Sequence, residues 1–192
     1  MKTTLRPALV LFALLTLLTG VAYPLVVTGI AKVVFPAEAA GSLVVRDGKV
    51  IGSRLIGQNF SDPKHFWSRP SATSPMANNA SSSSGSNLGP TNPALADAVK
   101  GRIEALRAAD PGNAAKVPVD LVTASASGLD PDISVAAAQY QAARVAKARG
   151  IAVEPVRALI GTQARGQLFG FLGEPRVNVL MLNLALDDPG KR

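Results

Sequence analysis

Cysteine is absent from this 192-residue chain, and histidine occurs once, as His65. Without thiols there can be no disulfide framework and no thiolate metal site, and one imidazole cannot build a histidine metal site. The redox compartment is therefore left open. Aromatic residues are sparse, with one Trp and two Tyr, and the 20 Lys and Arg residues are scattered along the chain. Nucleic-acid binders cluster basic residues and interleave them with stacking aromatics, so that partner class is excluded. Catalytic fingerprints are missing as well. There is no phosphate loop of the form G-x-x-x-x-G-K-[ST], no G-x-G-x-x-G and no G-x-S-x-G nucleophile elbow.

What remains of possible chemistry reads as ordinary structure. A Ser-His-Asp site would have to use His65, between Lys64 and Phe66 in a loop-like stretch, and a triad needs its base oriented by a third group. Ser61-Asp62-Pro63-Lys64 matches S-x-x-K in form, but Pro63 opposes the uninterrupted helix that motif needs, and no K-T-G follows. The neighbouring acids Asp130 and Asp132, and Asp187 and Asp188, suit turns and helix caps in this Gly/Pro-rich context better than general acid–base work.

Charge is scarce at 17% of residues, and its distribution matters more than its sum. From Pro7 to Ala31 no charged residue occurs over 25 positions dominated by Leu, Val and Ile. As a helix this run spans about 38 Å, enough to cross a bilayer with some tilt. Pro24 presses on the carbonyl four residues back, that of Gly20, and predicts a bend between them. Gly20, Pro24 and Gly29 thereby define a candidate face for close helix packing. Two readings of the run exist. A cleavable signal peptide fits Lys2, Arg6 and a small-x-small site at Ala37-Glu38-Ala39, and would release a soluble exported binding protein. A retained anchor fits the length, since signal h-regions run only about 7–15 residues. The second is favoured. Basic residues before the span place the N-terminus in the cytoplasm. The expected organisation is a cytoplasmic stretch 1–8, a transmembrane helix 9–34 and an extracytoplasmic α+β domain 35–192. Of the net charge of +7, the domain keeps 17 basic against 13 acidic residues.

Within that domain, Asp47-Gly48 between Val-rich runs predicts a hairpin. Residues 70–92, rich in Pro, Ser, Asn and Gly, read by composition as a flexible linker. Asn92-Pro93 opens a helix carrying Leu95, Val99, Ile103 and Leu106 on one face. Val117 to Val122 is β-prone. Ser134 caps a second helix that Gly150 stops, and Pro155 opens a third, short one ended by Gly161. Arg176 to Leu182 reads as a buried strand. The mixture predicts a small α+β fold.

Several stretches in order are similar to one known family. They are Gly57-Gln58-Asn59-Phe60, Phe66-Trp67-Ser68-Arg69-Pro70-Ser71-Ala72 and Gly85-Ser86-Asn87-Leu88-Gly89-Pro90-Thr91-Asn92-Pro93, followed by Val117 to Ser125, Ser127-Gly128-Leu129-Asp130-Pro131, Ile133-Ser134, Gln141 with Arg144-Val145-Ala146, and Leu172 to Leu180 with Asn183-Leu184-Ala185-Leu186. Together with one N-terminal span they resemble the C subunit of the bacterial Kdp potassium-transporting ATPase. Asp132 stands where the family pattern favours His, and the serine run 81–84 is longer than usual. The resemblance implies a non-catalytic accessory subunit in the inner membrane, with a potassium-channel-like subunit and a P-type ATPase subunit as partners. Nothing here matches an Asp-Lys-Thr-Gly-Thr phosphorylation motif or a T-V-G-Y-G filter. It further implies an ordered 70–92 loop and a catalytic-chaperone role that raises the ATP affinity of the hydrolysing subunit. ATP would then be met only in a ternary complex, with Ser125, Ser127, Gly128 and Gln141 as candidate contacts and no cofactor bound by the chain alone. Asn87, Arg176 and Asn178 are candidate partner contacts.

Overall fold

A computed structural model describes residues 2–188, with side chains from Thr4 onward. The final residues of the expected domain, 189–192, and the Lys2 side chain lie outside the described residues. The chain divides into two compact units, 1–51 and 52–192.

The first unit begins with α1 (Lys2–Leu17) and α2 (Tyr23–Val34), joined without a break by a π-helical turn at Leu18–Ala22. Together they make one apolar helix from Thr4 to Val34, with mean hydropathy 2.3 in its best window and no buried residue there. The irregular turn falls where Gly20 and Pro24 predict one. The Tyr23 N–H reaches back five residues to the Leu18 carbonyl, and the Thr19 hydroxyl donates to the Leu15 carbonyl at 2.7 Å. A wider turn there relieves the contact between a proline ring and the preceding turn. After the short α3 (Pro36–Ala39), strands β1 (Leu43–Arg46) and β2 (Lys49–Ser53) pair as a hairpin. Asp47 and Gly48 both have positive φ (50° and 74°), as a type I′ turn requires.

The second unit carries α4 (Pro93–Ala109), β3 (Asp132–Ser134), α5 (Val135–Arg149), α6 (Val153–Gln163), β4 (Arg176–Asn178) and α7 (Val179–Asp187). Its plan rests on two strand-to-helix units laid against each other. β3 runs directly into α5 and β4 directly into α7, and the strands pair antiparallel with Ile133 opposite Val177. Each strand ends in the residue that caps its helix. Ser134 Oγ accepts from the Ala137 N–H, and Asn178 Oδ1 from the Met181 N–H. Each cap therefore satisfies an otherwise orphaned helix donor at the point where the chain changes structure. α6 packs between α5 and α7, and Ile133, Ala138, Ala142, Val145, Ile160, Val177 and Leu182 fill the core. Gly150 ends α5 in the left-handed conformation at φ 66°, which costs a residue without Cβ nothing.

Three expectations are corrected. Arg176 to Leu182 is a strand only to Asn178 and a helix thereafter. α7 is buried on nearly all sides, and a short helix of that kind shows no apolar periodicity to distinguish it from a buried strand. Val117 to Val122 forms a 3₁₀ turn at Val119–Leu121, not a strand. Pro118 sets the entry to that turn, and Asp120 accepts from the Ser134 N–H and Oγ, which fixes the turn against the β3–α5 junction. α6 starts at Val153 and continues through Gly161 to Gln163. Pro155 lies in its first turn, where a missing N–H costs little.

Candidate functional site

The largest concentration of buried polar groups surrounds a strap, residues 62–67, that begins in a turn at Asp62–His65 and is held by α5 and α7. The His65 N–H closes the turn onto the Asp62 carbonyl, but Phe66 and Trp67 have no strand partner, so their backbone groups must be paired by side chains. Asn183 from α7 accepts from the Phe66 N–H (2.8 Å) and donates to the Phe66 carbonyl (3.0 Å). Gln141 from α5 does the same for Trp67, at 2.8 and 3.1 Å. Two carboxamides thus imitate a neighbouring β-strand. Arg144 completes the clamp by donating to the carbonyls of Pro63 (2.6 Å) and His65 (3.1 Å) and to Gln141 Oε1 (2.7 Å). Its guanidinium lies 4.3 Å from the centre of the Trp67 ring. Burial pulls the Arg144 pKa down to about 10, which leaves it charged at neutral pH. Phe66, fully buried, is what the clamp holds in the core.

At the outer edge of the strap His65 Nε2 lies 3.2 Å from Asp187, which also accepts from Arg149 at 2.6 Å. Burial pushes the Asp187 carboxyl up, but the hydrogen bonds and charges of Arg149 and His65 outweigh it and hold the group below its ordinary value. The one histidine is part of an ion-pair cluster. Among the described residues no three His, Asp or Glu side chains are placed to hold a metal ion.

A second polar region forms where the 70–92 loop meets residues 125–132. Ser71 Oγ donates to the Gly128 carbonyl and accepts from the Asn78 N–H, and the Ser84 N–H reaches the Ser127 carbonyl. Gly128 has φ 67°, and a Cβ there would lie 2.6 Å from both the Ser84 carbonyl oxygen and the Thr73 methyl. The loop is ordered because such contacts hold it. Ser125 Oγ accepts from the Gly128 N–H and Ser127 Oγ from the Leu129 N–H, so both hydroxyls shape this turn. Beside it, Arg69 pairs with Asp130 at 2.8 Å and Arg176 with Asp132 at 2.9 Å. These groups, with Asp120 and Glu174, line an open groove of about 470 Å³. Asn178 Nδ2 donates to the Arg54 carbonyl and to Asp132.

The sequence-selected residues therefore fall in separate places. Ser125, Ser127 and Gly128 share one turn. Gln141 is buried in the clamp, away from that turn. Arg176 and Asn178 meet at the groove through Asp132, while Asn87 is exposed at φ 52° on the ordered loop. Apart from the backbone of their own helix, Gly20 and Gly29 have no atom within 4 Å of where a Cβ would lie, so no other part of the described chain packs against them. Asn183 as half of the clamp was not anticipated, because pairing across 117 residues leaves no local signal.

Comparison with known proteins identifies a family along nearly the whole chain. The family described as KdpC, K+-transporting ATPase, c chain, matches residues 5–188. The potassium-transporting ATPase KdpC subunit of Variovorax paradoxus is 73% identical over 187 residues, covering 97% of each chain. That of Polaromonas naphthalenivorans is also 73% identical, over 97% of this chain and 95% of its own. The Dechloromonas aromatica subunit is 66% identical across the whole of both chains. A single apolar N-terminal helix, a small α+β unit and a likeness that runs from one to the other place this chain in the KdpC family, the c chain of K+-transporting ATPases.

Proposed function

We propose that the chain is a non-catalytic accessory subunit that holds a potassium pump together from the outer side of the inner membrane. The observation that carries this reading is the Thr4–Val34 helix, which leaves every apolar side chain unburied by the chain itself. A helix of that kind is stable only in lipid or against other helices, and the helix geometry pairs its backbone internally as lipid demands. Gly20, Pro24 and Gly29 mark the face where a helix of the potassium-channel-like subunit approaches closely. The P-type ATPase subunit supplies phosphoryl chemistry.

The ATP-affinity role implied by the family is assigned to assembly rather than to a nucleotide cradle in this chain. Gln141 is buried and committed to Trp67 and Arg144, and Ser125 and Ser127 accept hydrogen bonds within their own turn, so the candidates do not converge on one phosphate site. The topology is tested with Ser83→Cys, which introduces the only thiol into a chain that has none. A membrane-impermeant maleimide labels it in intact spheroplasts if the domain is external. Labelling only after lysis would overturn the orientation.

A further inference from the structure

Residues 168–172 form a projecting tip with an apolar crest. Leu168, Phe169, Phe171 and Leu172 are 63%, 79%, 72% and 48% exposed, the largest contiguous apolar display in the second unit. The tip is not a loose loop. At its base Arg165 and Arg176 exchange both backbone hydrogen bonds (2.8 and 3.1 Å), and nearer the crest Leu168 and Leu172 do the same, both at 2.9 Å. The Gly170 N–H is taken by the Gln167 carbonyl and the Phe171 N–H by Leu168. Gln167 turns its own amide inward to the Gly173 carbonyl at 2.7 Å. The crest therefore presents hydrocarbon with four of its five N–H groups, those of Leu168, Gly170, Phe171 and Leu172, already paired.

Charge around the tip is mainly basic. From 155 to 176 the charged residues are Arg157, Arg165 and Arg176 against one acid, Glu174. All four are exposed, and Arg176 is paired with Asp132. An apolar crest above a basic base matches the layering of an anionic bilayer surface, acyl chain below and phosphate above. Paired amides are what entry into hydrocarbon requires.

We propose that the 168–172 tip inserts shallowly into the outer leaflet of the membrane that holds the chain's own apolar helix, as a second lipid contact of the folded domain. The proposal rests on the anchor reading above. The 17 residues between Val34 and Gly52 confine the domain to within about 60 Å of the bilayer, which raises the local concentration of tip and lipid.

The test uses the full chain in phosphatidylcholine–phosphatidylglycerol vesicles whose acyl chains are brominated near the headgroup. Phe169→Trp places an indole at the crest, and Met76→Trp places one at another exposed site. For a crest lying roughly 5–10 Å deep, emission of the Phe169→Trp chain beyond the Trp67 background falls about twofold against unbrominated lipid, while that of Met76→Trp does not change. Absence of quenching in carbonate-resistant protein overturns the tip and leaves the anchor intact. Equal quenching at both positions overturns it too, since the domain would then lie on lipid without a preferred contact. A crest unquenched but shielded from iodide only in the assembled pump would assign it to a protein partner instead. Release of the chain by carbonate overturns the anchor and the tip together.

Discussion

Between Thr4 and Val34 no side chain is buried, whereas seven of the fifteen residues of α5 are. The two helices differ also in what their polar atoms do. The first has few polar side chains and turns Thr19 back on its own backbone. α5 buries a glutamine and an arginine, and each hydrogen-bonds a strap distant in sequence. The contrast shows two routes to a stable helix. The N-terminal helix is self-sufficient in hydrogen bonds and depends on its surroundings for packing. The domain helix takes its packing from the core and supplies hydrogen bonds to the strap that it packs against. Damage to the first should appear in assembly, and damage to the second in folding.

The largest expected effect comes from emptying the core beneath the clamp. Phe66→Ala removes a fully buried ring and should cost about 3–5 kcal/mol of domain stability. Urea unfolding of the detergent-solubilised chain, followed by Trp67 fluorescence, measures it. Next comes Asn183→Leu, which strands the Phe66 N–H and carbonyl in the interior. Two such groups, at about 1–3 kcal/mol each, predict a loss on the order of 3 kcal/mol. If that variant unfolded at the wild-type midpoint, the strand-mimicking clamp would have no energetic weight.

Gly20→Leu breaks the comparison from the other side. No atom of this chain crowds a Cβ there, and leucine is a better helix former than glycine. The unfolding midpoint should stay unchanged while co-purification with the other pump subunits falls several-fold. Equal recovery of the complex would remove the proposed helix contact. Smaller still is Ser134→Ala, which deletes the cap of α5 and should cost about 1 kcal/mol. The mildest is a pH effect. Because the folded Asp187 carboxyl lies below its ordinary value of 3.8, the stability it lends is present above that pH and is lost as pH falls through the lowered folded value. Asp187→Asn should therefore flatten the acid side of the stability profile, and modestly, since the group is about a third exposed.

Local signals in the sequence were sufficient wherever the structure is local. The apolar run, the Asp47-Gly48 turn, the Asn92 and Ser134 caps and the Gly150 stop all act within a few residues, and each is found where it was expected. The α7 helix was misread as strand because its burial on nearly all sides hides its period. The 70–92 segment has the composition of a linker, and only the ordered family motifs pointed to a fixed loop. Its order comes from long-range bonds such as Ser71 to Gly128. Gln141 was named as a family residue and a candidate nucleotide contact, but its bonds to Trp67 became visible only in the fold. For the same reason Asn183 and Arg144 could be recognised as family residues without their pairing being visible.

Intact mass of the chain extracted from membranes tests the central claim most directly, because the account requires the apolar helix to remain attached to the folded domain. A membrane-bound species that retains the whole Thr4–Val34 helix is the predicted result. A functional species in the aqueous fraction beginning at Ala40 would contradict it.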